Sequence, residues 1–310
     1  MSIEVSIIIV NFNSGSLLHD CLQSIFNSTA SIEVIVVDNN SEDDSLLNVV
    51  SVFKNDTRLT IIRNSINSGF AHASNQGVEK ANGDYWLFLN PDCVIKPDTI
   101  SEMYELMQNN PDVGMSGPLI VNPDGSEQRG CRRAIPTPWR SFVRAFGLST
   151  LFQDNPKYKD FQLHTEPLPD HPIDVEAISG AFMFVRTAAT DEVGLLDDGY
   201  FLHCEDLDWC MRFRQKDWRI LFNPNVTVTH LKGGCSDNRQ IFVIWHMHNG
   251  MVRFYKKFFK DQYPKPLMWL IVIGVWLRFI VMASYYKIRQ IVDRFRSIKT
   301  KLLTCVSNFK

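Results

Sequence analysis

Three polar clusters follow apolar runs near the start of the chain. Asn11-Phe12-Asn13 follows residues 5–10, Asp38-Asn39-Asn40 follows 32–37, and Asn90-Pro91-Asp92 follows 85–89. One such cluster is an ordinary turn or cap. Three at successive strand ends of one parallel sheet line a shared pocket, because ligands in open sheets bind beyond the carboxyl ends of the strands. Asp92 is suited to Mg²⁺, which takes one or two carboxylates and completes its shell with substrate phosphates. A second cluster, Glu205-Asp206-Leu207-Asp208, puts three acids in four residues beside Tyr200, Phe201 and Trp209. The dipole alone favours acids at a helix start. Aromatic faces beside carboxylates also suit a sugar, and one acid could take a hydroxyl proton as general base. A third stretch, 226–236, holds His230, Lys232, Gly233, Gly234 and Ser236. Imidazole can ligate a metal, and a lysine or backbone N–H groups can face phosphates. A zinc site from His203, Cys204, Cys210, His230 and Cys235 is the competing idea, but the spacing matches no structural zinc motif.

The elements that must position these residues alternate. Continuous β-branched runs at 5–10 and 32–37 predict strands buried on both faces. Further strands are expected at 59–63, 85–89 and 113–120. Helical spacing covers 14–26, with Leu17, Leu18, Cys21, Leu22 and Ile25 on one face. It covers 41–53 behind a Ser41-x-x-Asp44 cap, 71–81, and 97–108 with Pro97 at its start. Repeated β-α units imply an α/β fold, a mostly parallel central sheet flanked by helices. The pattern breaks at 122–172, a Pro-, Gly-, Arg- and aromatic-rich excursion of the kind that forms lids and binding loops. Regular signals return at 175–185, followed by a helix at 206–214, a strand at 219–222 and an amphipathic helix at 240–259.

No G-x-G-x-x-G follows the first strand and no G-x-x-x-x-G-K-[ST] occurs, which disfavours hydride-transfer and P-loop chemistry. Seven scattered cysteines without a C-x-x-C pair suit a reducing compartment. The apolar run near the N-terminus is too short for a signal peptide, so a cytoplasmic body is expected. Of residues 267–286, 17 of 20 are apolar or aromatic, long enough to span a bilayer, although Arg278 lies near the middle. The formal net charge is −2. Residues 287–310 carry +6, which leaves −8 on residues 1–286. The Trp-rich apolar segment and the basic tail predict a helix lying on a membrane, with the basic residues on anionic lipid. A buried core helix with Arg278 paired is the alternative.

Taken in order, the motifs resemble family-2 glycosyltransferases of GT-A fold, and within them the rhamnosyltransferase-like group of bacterial polysaccharide and O-antigen biosynthesis. The resemblance covers about residues 4–260. It runs from the opening strand through Asn13, then Val36-Val37-Asp38-Asn39-Asn40-Ser41 and Asn67-Ser68-Gly69-Phe70-Ala71 with Asn75-Gln76-Gly77. Leu87 to Asp92, Gly180-Ala181-Phe182-Met183, Phe201 through Arg212, and His230 with Gly234 and Ser236 complete it. Many GT-A enzymes carry Asp-x-Asp where this chain has Asn90-Pro91-Asp92. A neutral Asn90 lowers the charge at the metal, and this form is common in the rhamnosyltransferase-like group.

The resemblance implies an inverting, metal-dependent transfer, with Mg²⁺ or Mn²⁺, from a nucleotide-sugar donor. The expected donor is dTDP-rhamnose and the expected acceptor a lipid-linked glycan at the cytoplasmic face of the plasma membrane. It implies that Asp38 contacts the nucleobase, that Asp92 holds the metal with His230 as a further metal or diphosphate ligand, and that Asp206 is the base with Glu205 as rival. Asn11, Asn13, Asn40, Asn67, Gly69, Asn75, Asn90 and Lys232 fall on the donor side. Gly180, Ala181, Phe201, Asp208 and Trp209 fall on the acceptor side. The expected division is a nucleotide-sugar half at 1–121, an acceptor and catalytic half at 122–239, and a membrane-associating helical region at 240–310. Other readings are a UDP-sugar transferase of the same fold, a non-catalytic nucleotide- or glycan-binding protein, and a sugar nucleotidyltransferase. A binding protein has no need of both Asp92 and Glu205-Asp206. A nucleotidyltransferase would carry a basic Gly-rich loop where residues 11–16 have no basic residue. No nucleic-acid partner is expected.

Overall fold

A computed structural model describes residues 3–152, 155–231 and 239–307, with side chains up to residue 292. The chain divides into two compact units, Met1–Cys235 and Ser236–Lys310. The first opens with β1 (Val5–Asn11), α1 (Leu17–Phe26), β2 (Ile32–Asp38), α2 (Ser45–Phe53), β3 (Leu59–Arg63), α3 (Phe70–Val78) and β4 (Tyr85–Leu89). It continues with β5 (Cys93–Val94), α4 (Thr99–Gln108), β6 (Val113–Val121), β7 (Arg132–Arg133), α5 (Pro138–Ala145) and α6 (Leu148–Leu151). It ends with β8 (Ile173–Asp174), β9 (Ala177–Ile178), β10 (Phe182–Arg186), α7 (Thr187–Val193), α8 (Glu205–Gln215) and β11 (Arg219–His230).

The sheet runs in the order β3-β2-β1-β4-β10-β6-β11-β5, with β8 on β11. β1 pairs in parallel with β2 and β4, β2 with β3, and β6 with β11, whereas β10 runs against both β4 and β6. The sheet is therefore mixed with mostly parallel strands. Every residue of β1 is buried, as a strand covered on both faces by helices requires.

Several elements differ from the sequence expectation. α2 starts at Ser45, because Ser41 Oγ instead accepts from the Asn11 amide and the Asn13 N–H. α4 starts at Thr99, whose Oγ1 accepts from Lys96 N, so Pro97 precedes the helix. The run at 175–185 is two strands, broken where 179–181 turn toward α8. β11 is far longer than 219–222, with its register shifting between Asn223 and Thr227 around Pro224. The excursion at 122–172 contains β7, α5 and α6.

The second unit pairs α9 (Gln240–Phe259) with α10 (Lys265–Ser307). Lys265–Val292 is long and apolar enough to cross a membrane by length and composition, with a mean hydropathy of 2.1. The buried-helix alternative does not hold for the described residues, since Trp269, Leu270, Ile273, Leu277, Ile280 and Val281 are exposed. Arg278 reaches Met251 Sδ of α9.

Candidate active site

β5 brings the metal-type residues together. Its antiparallel pairing sets Cys93 opposite His230, and Leu231 N donates to Asp92 O. His230 Nε2 then lies 3.0 Å from Asp92 Oδ1, both side chains buried. His230 Nδ1 lies 2.6 Å from Gln128 Oε1. The Gln128 amide nitrogen donates to Asn122 Oδ1 and to His230 O, so the amide oxygen must face the ring. Nδ1 therefore carries a proton, and Nε2 faces the carboxylate either with a lone pair, which a cation would bridge, or with an N–H that donates to it. Cis donors on one octahedral ion, with bonds of about 2.1 Å, stand about 3 Å apart, so the pair fits Mg²⁺ or Mn²⁺. The Cys93 thiol is the third potential ligand of this group, but a soft sulfur suits such ions poorly.

The donor-side residues form one network over the ends of β1 and β2. Asn11 pairs in register with Asp38, and its Nδ2 lies 2.7 Å from Asp38 Oδ1, with Ser45 Oγ and Ser41 Oγ as further acceptors. Ser14 Oγ donates to Asn11 Oδ1. Asn11 is fully buried, so it holds Asp38 in place and does not itself meet a ligand. Asn13 Oδ1 accepts from Glu42 N, which ties the first loop to the second. Asn40 is exposed and left-handed (φ 66°). Asn39, which sequence reasoning passed over for Asn40, is the buried hub. Its amide donates to Asn67 Oδ1 and Gly69 O, while its oxygen accepts from Asn64 and Ser68. Asn75 donates to Leu196 O, and its own Oδ1 is buried without a partner.

Backbone contacts join this donor side to the acceptor side. Phe70 N donates to Phe201 O at 2.7 Å. A Cβ on Gly69 (φ 88°) would lie 2.7 Å from that same oxygen, so only glycine permits the contact. Asn90 N donates to Ala181 O, and the preceding residue, Gly180, donates its N–H to Asp206 Oδ2. The metal-type turn and the proposed base are thus linked through two adjacent residues. A left-handed pair, His203 (φ 68°) and Cys204 (φ 72°), aims the start of α8 there. Non-glycine residues in that region carry about 1–3 kcal/mol of strain each and cluster at functional sites.

Arg133, another residue that sequence reasoning missed, governs the charge. It lies 2.5 Å from Asp206 Oδ2 and also donates to Ile178 O. Burial pushes the Asp206 carboxyl up, but the Arg133 charge and hydrogen bond outweigh it and hold the group below the usual carboxylate range. Glu205 has no such partner. Burial, and then the Asp206 charge, push it up to about 8, and its Oε2 is buried without a hydrogen bond. At neutral pH Glu205 keeps its proton and Asp206 does not.

This split has a stability consequence. Because the folded-state value of Glu205 is raised, the stability present below its ordinary value of 4.5 is lost as pH rises toward about 8. Asp206 has the opposite sign, losing its contribution only as pH falls through a value below 3.8. Glu205→Gln should therefore raise the melting temperature at pH 9, with the gain shrinking toward pH 5 in a thermal-melt series. A gain independent of pH would contradict the raised value.

Two acceptor-side expectations need correction. Asp208 is fully buried and bonds Arg212 Nε at 2.7 Å one turn along α8. Trp209 is also fully buried, donates Nε1–H to Gly194 O and packs edge-on against Phe88. Neither has a face left for a sugar. Tyr200 is likewise buried, whereas Phe201 is partly exposed. Ala181 is buried and contributes its backbone oxygen. Lys232, Gly233, Gly234 and Ser236 lie outside the described residues.

Comparison with known proteins gives the family and the fold. A model of glycosyl transferase family 2 matches residues 6–166. The chain is 25% identical to the N-acetylglucosaminyl-diphospho-decaprenol L-rhamnosyltransferase of Mycobacterium tuberculosis H37Rv, over 98% of this chain and 99% of that one. It is 27% identical to rhamnosyltransferase WbbL of Escherichia coli K12, over 78% and 89% of the two chains. Among solved structures, the mannosyltransferase PcManGT of Pyrobaculum calidifontis, in complex with GDP-Man and Mn²⁺, superposes with a TM-score of 0.57 at 16% identity, covering 88% of this chain and 69% of that one. GalNAc-T7 with UDP, GalNAc and Mn²⁺ gives 0.55 at 18% identity, covering 75% and 45%. These likenesses show the GT-A fold. The chain belongs to glycosyl transferase family 2, in its rhamnosyltransferase-like group.

Proposed function

We propose that the chain transfers rhamnose from dTDP-rhamnose to a lipid-linked glycan at the cytoplasmic face of the membrane, in one displacement that inverts the anomeric carbon. The observation that carries this reading is the link from Asn90 through Ala181 and Gly180 to Asp206, which ties an ionised carboxylate to the Asp92–His230 pair. A relative that aligns over nearly its full length, named as a rhamnosyltransferase acting on a diphospho-decaprenol substrate, supports rhamnose as the transferred sugar and a lipid-linked acceptor.

Residues 1–121 bind the donor, with Asp38 meeting the nucleobase where Asn11 holds it. Residues 122–239 take the acceptor. Asp92 and His230 would hold a divalent cation, which would supply positive charge to offset that on the departing diphosphate. Asp206, kept ionised by Arg133, accepts the acceptor hydroxyl proton as that oxygen bonds the anomeric carbon and the bond to the diphosphate breaks. Glu205, protonated on the buried face of α8, leaves the negative charge of the pair on Asp206. Residues 240–310 associate with the membrane through the apolar, Trp-bearing face of α10.

Gln128 orients His230 and fixes its tautomer, as outer groups do for metal-binding histidines. Gln128→Ala should weaken Mn²⁺ binding about 10–100-fold, read as free Mn²⁺ by electron paramagnetic resonance without any substrate. Unchanged binding would remove Gln128 from the site.

The function is tested by offering the protein dTDP-rhamnose, UDP-sugars and GDP-mannose with a polyprenyl-diphosphate-linked sugar. Extension of the lipid from dTDP-rhamnose alone is expected. Extension from a UDP-sugar would replace the donor assignment. Donor binding without transfer to any acceptor would mark a binding protein.

A further inference from the structure

The excursion at 122–172 carries a surface that no step of the proposed reaction uses. Phe146, Phe142, Trp139, Tyr158 and Phe152 form a continuous chain of ring contacts, with neighbouring centroids 4.5–5.8 Å apart. Trp139, Phe142, Phe146 and Phe152 are 44–65% exposed, and the adjoining Leu151 is 72% exposed. On α5, Val143 faces inward while Trp139, Phe142 and Phe146 line the outer side at i, i+3 and i+7. Trp139 Nε1 donates to Lys157 O, which ties the two ends of the chain together. Exposed apolar side chains joined in this way, rather than scattered singly, mark an interaction site.

Of the basic residues in 129–160, Arg132, Arg133, Arg140 and Arg144 are ion-paired with Glu127, Asp206, Glu176 and Asp160, so the cations beside the rings are Lys157 and Lys159, the latter 3.6 Å from Glu166 Oε1. Lys157 and Lys159 flank Tyr158 and are exposed. Aromatic side chains mixed with lysines suit the headgroup level of an anionic bilayer, where the rings enter the apolar boundary and the cations meet phosphate. The patch begins six residues after Arg133, which touches Asp206, and Arg140 between its rings anchors α5 to Glu176 and to Ile135 O.

We infer that this aromatic patch is a membrane-docking surface of the catalytic unit, separate from α10, that seats the acceptor side of the site on an anionic lipid surface. The inference rests on the membrane reading of the proposed function, but it is measured without catalysis. The full chain is mixed with vesicles of zwitterionic lipid, with and without anionic lipid, some with brominated acyl chains. Trp139→Phe should remove part of the bromolipid quenching of tryptophan fluorescence. The triple variant Trp139→Ser, Phe142→Ser and Phe146→Ser should lose about tenfold or more in partition to anionic vesicles, at an unchanged melting temperature. It should keep transfer to a short-chain soluble acceptor while losing transfer to a vesicle-embedded one. Equal quenching and equal partition for all three proteins would overturn the surface. A triple variant that turns a dimer into a monomer with unchanged partition would assign the patch to a second copy of the chain and overturn it as well. If no donor and acceptor pair supports transfer by the unaltered protein, the proposed function fails, while the vesicle result still decides the patch.

Discussion

Asp206→Asn should cut transfer by about 10²–10⁴-fold, the usual contribution of a positioned general base, while leaving donor affinity unchanged. The amide keeps the shape and can still accept from Gly180 N, which now donates to Asp206 Oδ2 at 3.2 Å. It cannot take a proton at neutral pH. It also leaves the buried Arg133 guanidinium without its counter-charge, which costs about 3–5 kcal/mol when one partner of a buried pair is removed. A fall in stability is therefore part of the result, and a second variant separates it from catalysis. Adding Arg133→Met to Asp206→Asn should restore much of the melting temperature but none of the transfer. Recovery of transfer along with stability would mean that the single variant failed only because it was poorly folded. Normal turnover by Asp206→Asn would move the base elsewhere, and Glu205→Gln would then be the variant that abolishes it.

Asp92→Ala should remove the effect of metal on donor binding. In the unaltered protein, dTDP-rhamnose should bind about a hundredfold more tightly with Mn²⁺ than with EDTA, equivalent to ~2.7 kcal/mol. In Asp92→Ala the two affinities should coincide at the EDTA value. His230→Ala should act in the same direction, because its Nε2 faces the same point as Asp92 Oδ1. Calorimetric titration of the donor reads this directly. An unaltered protein whose donor affinity ignores EDTA would remove the metal from the account, whatever the variants did.

What was legible in the sequence was what period and strand ends reveal. The buried runs at β1 and β2 and the polar residues after them placed Asp38 beside Asn11, and the structure pairs these two in register. The direction of β10 was not legible, because an apolar run of that length carries no sign of which way it enters the sheet. Asp208 and Trp209 lie near Glu205 in sequence, but nearness along a helix does not set them toward a ligand. A helix places i, i+3 and i+4 on one face, and that face of α8 is the buried one, which leaves Asp206 on a different side. Gln128 and Arg133 escaped notice for another reason. Both lie in the excursion, where no hydrophobic period assigns a side chain to a face, and their roles depend on partners 102 and 73 residues away. Asn39 was visible as one of three polar residues after β2, but only the fold distinguishes the hub from the exposed Asn40 beside it.

The central claim is a direct displacement in which Asp206 activates the acceptor hydroxyl. The measurement that tests it most directly is the anomeric configuration of the sugar in the isolated product, read by nuclear magnetic resonance against that of the donor. Direct attack by the activated hydroxyl predicts the opposite configuration in every product molecule. A product that keeps the donor's configuration would contradict the account, because it would require the sugar to pass through a second displacement or to be attacked from the face of the departing diphosphate.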